Sequence, residues 1–411
     1  MTSPGDDLRA FIDASPSPFH AVAEMTRRLR EGGFTELKEA DRWSVAPGGT
    51  HYVVRDGGSL VAFRVGSGSL ADAGIVGIGT HTDSPTFRVR PHHDLTRVGY
   101  RLIGVEPYGG MLAHTWMDRE LTIGGRVVHE DGTTTLAKLV GTTLRLPSLA
   151  IHLDRSVREG LVLDPQRHLV PVAGLEDEPA LLEQLGSPGA LGFDLVLADT
   201  QPAAVTGTNW IAAPRLDNLG SCHSATTALL AAPDTAHTQV FVANDHEEVG
   251  SDSAEGASGS FLEDVLRRLT TATGDKDPQA YFQMIARSRM VSADMAHAIH
   301  PNYADRHEPS HTPQLGKGPV IKHNANQRYA TDATTEAWFA AKAAAAGVPV
   351  QHFVTRADLP CGSTIGPLTA TRVGIATVDV GNPMLAMHSC RELASADDVP
   401  LMIAAMTSCL S

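Results

Sequence analysis

Two stretches of alternating strand-like and helix-like sequence, separated by a β-rich segment, constrain the fold of this chain most strongly. The first stretch ends near residue 90 and the second begins near residue 212. Such alternation predicts a largely parallel sheet covered by helices. The segment between them has short β-like runs and glycine turns. We therefore predict an α/β fold with a central, mostly parallel sheet, interrupted by an inserted β-rich domain, with divisions at 1–90, 91–211 and 212–411.

Apolar periodicity locates individual elements of this fold. In segment 18–31, Phe19, Val22, Met25 and Leu29 share one helical face, and Gly32 follows the last turn. Helices are predicted at 18–31, 219–232, 261–272, 334–346 and 399–410. Strands are predicted at 51–55, 60–65, 75–79, 238–243, 348–355 and 373–380. A polar segment at 175–189 is predicted to be a surface loop.

Charge and composition argue against several classes of protein. The formal net charge of −14 is unfavourable for binding nucleic acid, which depends on clustered lysine and arginine. No run approaches the roughly 18 apolar residues that a membrane helix needs. The first ten residues carry Asp6 and Asp7 and are not expected to form a secretory signal. The four cysteines form no CxxC pair, which favours a reducing, cytoplasmic setting.

Polar clusters follow several of the predicted strands. Ligand sites on parallel sheets lie beyond the carboxyl ends of the strands, so these clusters are expected to converge. The clusters are His-Thr-Asp at 81–83, Arg-Leu-Asp-Asn at 215–218, Asn-Asp-His-Glu-Glu-Val-Gly-Ser at 244–251, Ser-Ala-Asp-Met-Ala-His at 292–297 and Met-Leu-Ala-Met-His-Ser at 384–389.

Each cluster alone is also explained without a metal. His81 binds zinc best when its second ring nitrogen contacts a carboxylate, which Asp83 can supply. Asp217 opens a predicted helix, where an N-cap is the commonest role of aspartate. A single histidine beside apolar residues, such as His388, is more often a core residue than a ligand.

Together the clusters supply two imidazoles, three carboxylates that can bind metal, and one further glutamate. Because Glu247 and Glu248 are adjacent at a strand end, their side chains can point in different directions, one to a metal and the other to water. This set suits two zinc ions about 3.5–4 Å apart. Cobalt and manganese also accept nitrogen and oxygen ligands, so the metal stays open.

Other catalytic motifs are absent from the sequence or poorly formed. There is no GxSxG elbow, P-loop or GxGxxG turn. The letters HExxH occur at 307–311, but Pro309 disfavours the helix that this zinc motif requires. Cys361 lies in a Pro-Cys-Gly-Ser turn, where a small structural residue explains it as well as a functional thiol.

Ordered motifs along nearly the full chain resemble those of the M18 aspartyl aminopeptidases. They are ASPSPFHAV at 14–22, GTHTDSP at 79–85, VEPYGG at 105–110, HTWMDR at 114–119, AIHL at 150–153, NDHEEVGS at 244–251, HNANQRY at 323–329, PCGSTIGP at 360–367 and LAMHS at 385–389. Met117 departs from the aromatic residue expected there.

The resemblance implies a zinc-exopeptidase-like domain interrupted by a β-rich dimerisation domain. It assigns one zinc to His81, Asp217 and Asp294, and a second zinc to Asp217, Glu248 and His388. A metal-bridging hydroxide would attack the peptide bond, with Glu247 as general base and Asp83 orienting His81. It also implies a homo-oligomer, a closed tetrahedral dodecamer in which His152 reaches the active site of a neighbouring subunit.

The resemblance further implies peptide substrates with acidic N-terminal residues. Such a substrate needs a local cation in this acidic protein, and the candidates are Lys322, Arg328, His297 and His300. The family pattern favours the region of Lys322, with His297 and with Met387 beside His388 as further substrate-binding candidates.

Three alternatives remain open at this stage. The first is a broad-specificity two-metal aminopeptidase that prefers apolar N-termini. The second is a non-catalytic assembly scaffold on the same fold, and the third is a two-metal phosphatase or deacylase.

Overall fold

The computed structural model describes residues 2–207 and 209–411. A nine-stranded sheet, here called the large sheet, forms the centre of the fold. Its strands in spatial order are Thr35–Glu36, Thr50–Arg55, Ser59–Arg64, Thr238–Asn244, Ile75–His81, Arg289–Ala293, Ala376–Gly381, Val320–His323 and Gln351–Val354.

The four central strands of the large sheet are parallel. Ile75–His81 pairs in parallel with Thr238–Asn244 on one side and with Arg289–Ala293 on the other. Arg289–Ala293 in turn pairs in parallel with Ala376–Gly381. The mostly parallel α/β sheet predicted from the sequence is therefore confirmed.

Helices cover both faces of the large sheet because successive side chains of its central strands point alternately into two apolar cores, one on each face. Val240 and Val242 pack with helix Phe261–Ala272, whereas Phe241 and Ala243 pack on the opposite face. The α-helices are Pro4–Ala14, Pro18–Glu31, Leu70–Ala73, Leu181–Gln184, Leu216–Ala231, Phe261–Ala272, Ala280–Arg287, Ala333–Ala345, Ile365–Val373 and Asp398–Leu410. Single 3₁₀ turns occur at Ala113–Trp116, Ser156–Arg158, Glu247–Val249 and Ala304–Arg306.

A separate six-stranded sheet is built from one continuous part of the chain. Its strands in spatial order are Thr134–Lys138, Leu121–Val128, Gly192–Asp199, Thr86–Arg97, Tyr100–Tyr108 and Val172–Leu175. It has its own apolar core, in which the rings of Phe87 and Trp116 meet edge to face. This sheet interrupts the large sheet in sequence, between His81 and Thr238, as an inserted β-rich unit should.

A third, five-stranded sheet joins the end of the insertion to the C-terminal part of the chain. Its strands are Ala204–Val205, Trp210–Ala213, Glu392–Ser395, Pro383–Leu385 and Ala296–His297. Strand Thr86–Arg97 spans the division at 90/91, and Trp210–Ala213 spans that at 211/212. Both predicted divisions thus fall inside a strand, and the three domain ranges remain a proposal.

Most of the predicted elements are present, and helices 18–31 and 261–272 have the predicted bounds. The predicted start of the strand at 373 was too early, because Val373 is the last residue of helix Ile365–Val373. Gly374 caps this helix with a φ of 84°, a conformation that favours glycine. The strand itself is Ala376–Gly381. The loop predicted at 175–189 contains the short helix Leu181–Gln184.

The HExxH letters do not lie on an α-helix. The local 3₁₀ turn, Ala304–Arg306, ends before His307, as the proline in the motif predicts. His311 contacts Glu308 within the motif, with Nδ1 2.5 Å from Oε2. Within the described parts of the chain, no helix is long and apolar enough to cross a membrane.

Candidate active site

The polar clusters converge at the carboxyl edge of the parallel strands, as predicted. His81 ends its strand and is the register partner of Asn244, which ends the neighbouring strand. The chain then turns through Glu247 and Glu248. Asp294 follows the next strand, Arg289–Ala293.

Asp217 lies between the two histidines. Its Oδ1 is 3.4 Å from Nε2 of His81, and its Oδ2 is 3.5 Å from Nε2 of His388. One carboxylate therefore faces both imidazoles, each through a different oxygen. This is the arrangement that a bridging ligand between two metals requires.

A second carboxylate completes each half of this arrangement. Oδ1 of Asp294 is 3.4 Å from Nε2 of His81, and Oε2 of Glu248 is 3.5 Å from Nε2 of His388. Two groups of possible metal ligands result. One consists of His81, Asp217 and Asp294, and the other of His388, Asp217 and Glu248. Within each group the ligand atoms lie within 4.8 Å of one another.

The donor set fits zinc, which takes imidazole nitrogen and carboxylate oxygen. Among the described residues, Oδ1 of Asp217 and Oε1 of Glu248 are buried without a hydrogen-bond partner. A buried carboxylate oxygen left without a partner is costly, and a bound cation would satisfy it.

Asp83 organises the loop that carries the two glutamates. The backbone N–H groups of Glu247 and Glu248 donate to its Oδ1 and Oδ2 at 3.1 and 3.0 Å. The hydroxyl of Tyr108 donates to Oδ2 at 2.7 Å. Nδ1 of His81 lies 3.3 Å from Oδ1 of Asp83 and 3.1 Å from its backbone carbonyl oxygen. Asp83 thus contacts His81, and its role in orienting this residue stays a prediction. Tyr108 is a further contributor, to which the sequence analysis assigned no role.

The pKa values of the site reflect crowded carboxylates in a buried setting. Burial lowers the pKa of His81, but its contacts with Asp217, Asp294 and Asp83 raise it well above its ordinary value. Burial lowers the pKa of His388, but its contacts with Asp217 and Gly110 and the charge of Glu392 together raise it to about 9. Burial and neighbouring negative charges raise the pKa of Glu247 to about 8. Such perturbed groups cluster at functional sites.

The backbone around Asp217 departs from the predicted helix start. Helix Leu216–Ala231 has Arg215 at its N-cap position, and Asp217 itself has non-helical dihedral angles of φ −81° and ψ 103°. A cis peptide bond links Asp217 to Asn218. No side-chain capping bond forms here, so the N-cap interpretation of Asp217 is wrong.

Glu392 is a further buried residue of the site that sequence reasoning missed. Its carboxylate accepts hydrogen bonds from the backbone N–H of Asp217 at 3.1 Å and of His388 at 2.7 Å. It therefore ties together the two loops that carry these side chains. Its place in strand Glu392–Ser395 does not indicate a role in the site, because its hydrogen bonds to Asp217 and His388 form only in the folded structure.

Lys322 is buried beside Asp294, with only 2% of its surface exposed. Its ammonium donates to the backbone carbonyls of Asp294 and Met295 at 2.9 and 3.2 Å, and lies 3.5 Å from Oδ2 of Asp294. The solvated-lysine interpretation does not apply to this residue. Arg328, by contrast, is exposed.

The other predicted substrate-binding residues lie in varied settings. His297 is exposed, and its ring packs 5.6 Å from that of Phe353. Met387 is half-buried and packs against the main core, next to His388. His152 is exposed on the insertion and contributes no contact to the site of its own chain. His300 packs on Tyr303 with a centroid separation of 4.9 Å.

Comparison with known proteins agrees with this geometry. Residues 11–408 match the family described as Aminopeptidase I zinc metalloprotease (M18). The chain is 47% identical over 419 residues to the probable M18 family aminopeptidase 2 of Pseudomonas entomophila (strain L48), covering 98% of this chain and 96% of that protein.

Solved structures of the same kind superpose closely. The chain is similar to Ape4 from the Ape4–Nbr1 complex, with a TM-score of 0.93 and 37% identity over 99% of this chain and 85% of that one. It is also similar to the mApe1 dodecamer of S. cerevisiae, with a TM-score of 0.85 and 27% identity over 98% and 95% of the two chains. The chain therefore belongs to the M18 family and is a metallo-aminopeptidase.

Proposed function

We propose that this enzyme uses two zinc ions to remove acidic residues from the N-termini of peptides. The observation that supports it most is the position of Asp217 between two imidazoles, each joined by a second carboxylate. His81, Asp217 and Asp294 would hold one ion, and Asp217, Glu248 and His388 the other. Zinc bound there acts as a Lewis acid and lowers the pKa of water toward about 7.

Glu247 is proposed to transfer protons during the reaction, and Asp83 to hold Glu247 in position. Glu247 lies at the same edge, with Oε2 4.0 Å from Nε2 of His81, and is assigned as the base that accepts the proton of the attacking water. It then donates that proton to the leaving amine. Asp83 fixes its backbone through the N–H of Glu247.

The direct test is hydrolysis of matched chromogenic substrates with N-terminal Asp, Glu, Leu or Lys. We expect cleavage of the Asp and Glu substrates that is lost with a chelator and restored by added zinc, cobalt or manganese. Chelator-sensitive cleavage of the Leu substrate instead would favour the broad-specificity aminopeptidase and reject the acidic preference. No cleavage with any metal would favour a non-catalytic scaffold.

Lys322 is the cation that we propose for recognition of the acidic side chain. It is buried beside Asp294, where its charge is poorly screened by solvent. Lys322→Ala is expected to lower the ratio of kcat/KM for Asp over Leu substrates by about 10–100-fold, as for loss of a charged hydrogen bond. The ratio isolates specificity from any general loss caused by movement of Asp294.

Arg328→Ala is the matched control for this experiment. Arg328 is exposed, so its removal should leave the Asp-to-Leu ratio unchanged. An equal loss for both substrates in Lys322→Ala would mean that Lys322 only supports Asp294.

We propose a homo-oligomer, a tetrahedral dodecamer, as the working form. The insertion exposes large apolar side chains that a subunit contact would cover, including Val140, Leu153 and Val162. His152 lies in the same region and is proposed to reach a neighbour's active site. Light scattering is expected to give the mass of twelve chains, and a monomeric mass for an active enzyme would reject this assembly.

We also propose a cytoplasmic location. The four cysteines are free, and three of them are buried, as is usual for proteins kept in a reducing compartment. Cell fractionation that placed the enzyme outside the cytoplasm would overturn this proposal.

A further inference from the structure

A second group of metal-binding side chains lies at the outer edge of the large sheet. Nε2 of His323 is 3.8 Å from Oε1 of Glu336, and Nδ1 of His352 is 3.5 Å from the same oxygen. The two imidazole nitrogens are themselves 3.4 Å apart. None of these three residues belongs to the groups of metal-binding side chains at the candidate active site.

Two of these separations, 3.4 and 3.5 Å, match the edges of a tetrahedron around zinc, and the third, between His323 and Glu336, is longer at 3.8 Å. Zinc binds imidazole nitrogen and carboxylate oxygen at about 2.0–2.2 Å, so two ligand atoms on a tetrahedron lie about 3.3–3.6 Å apart. The nitrogen–oxygen separations within the candidate active site fall in the same range, at 3.4–3.5 Å.

The three ligands come from three elements of the fold. His323 ends strand Val320–His323, and His352 lies on the edge strand, Gln351–Val354, which pairs with it in parallel. Glu336 lies in the first turn of helix Ala333–Ala345.

Side chains alternate along a strand, so His323 faces away from its neighbour Lys322. Lys322 contacts Asp294 at the candidate active site. The group around His323 therefore lies on the other face of the sheet.

The local structure holds these ligands in place. A capping box between Asp332 and Thr335 fixes the start of the helix that carries Glu336. The rings of His323 and His352 are stacked, with centroids 5.6 Å apart and planes 27° apart.

The group is accessible to water as well as ordered. The exposed fractions of the side chains are 28% for His323, 33% for Glu336 and 40% for His352. Three protein ligands with solvent access leave room for water as a fourth ligand, a coordination that zinc accepts.

We propose that His323, Glu336 and His352 form a third zinc site, separate from the active site, that joins the edge strand to the helix above it. The site is independent of the proposed catalytic function. Its role is structural, because a zinc ion there would link strands Val320–His323 and Gln351–Val354 to helix Ala333–Ala345 and stabilise an otherwise open sheet edge.

The test measures zinc per chain by mass spectrometry after dialysis against a low concentration of free zinc. His352→Gln is expected to hold one zinc fewer than the wild type and to keep wild-type activity. In the background of Asp217→Ala, which disrupts the candidate active site, one zinc per chain should remain and should be lost when His352→Gln is added. Glu336→Gln provides a second variant should His352→Gln fold poorly.

His129→Gln is the matched control, since His129 is a partly exposed histidine that contacts Thr135 rather than a carboxylate. Its zinc content should equal that of the wild type. Equal zinc content in Asp217→Ala with and without His352→Gln would overturn the third site. Failure of the catalytic proposal would look different, because the wild type would then hold a single zinc that His352→Gln still removes.

Discussion

Glu247→Gln is expected to reduce kcat by about 10²–10⁴-fold while zinc content stays at the wild-type value. The amide is nearly the same size as the carboxylate but cannot accept the proton of the attacking water. Glu247 is not needed in either of the two ligand groups that share Asp217, so metal binding should survive. Steady-state kinetics with an Asp substrate and zinc analysis of the same sample provide the measurement.

Glu255→Gln is the control for this variant. Glu255 is half-buried near the same loop, with Oε2 4.0 Å from Nδ1 of His246, but it does not join the candidate metal ligands. It should retain most of its activity. Near-wild-type turnover in Glu247→Gln would show that another group accepts the proton.

Asp217→Ala is expected to abolish activity and to remove two zinc ions per chain. Its two oxygens face different histidines, so this one change takes a ligand from both proposed metal positions. Asp294→Ala should remove or weaken only one ion, because Asp294 contacts His81 and not His388. Zinc analysis of the two variants, prepared side by side, separates these outcomes.

Equal zinc loss in the two variants would contradict the bridging role of Asp217. A folded state is verified by circular dichroism, since removal of a buried charge among other charges also changes stability. Loss of both ions from Asp217→Ala with retained secondary structure would support the assignment.

Local sequence patterns predicted those parts of the fold that depend on local physics. Helix Phe261–Ala272 was predicted with the correct bounds because its apolar residues repeat with helical spacing. The strand after Gly374 was predicted to start too early because Val373 is β-branched and apolar, like the strand residues that follow it. Packing of helix Ile365–Val373 on the sheet decides where the strand begins, and this packing cannot be read from a short segment of sequence.

In the candidate site too, some residues were predictable from local sequence and others depend on tertiary contacts. His81 ends its strand, and Glu247 and Glu248 follow the neighbouring strand, where the sequence pattern already pointed to chemistry. Tyr108 and Glu392 act through contacts with residues far away in the chain, such as the hydroxyl–carboxylate bond to Asp83. Tyr108 lies in a motif that resembles the family's, but no sequence pattern assigned either residue a role, so only the folded structure reveals it.

The order of the site residues along the chain has a consequence for biosynthesis. The proposed ligands begin at His81 and end at His388, and the six-stranded insertion must be made between the first ligand and the second, Asp217. Domains generally fold as the chain is synthesised, N-terminal parts first. A growing chain therefore lacks the second imidazole until His388 has been added. We expect chains that stop before His388 to be inactive, so that hydrolysis of peptides begins only after the last proposed ligand has been made.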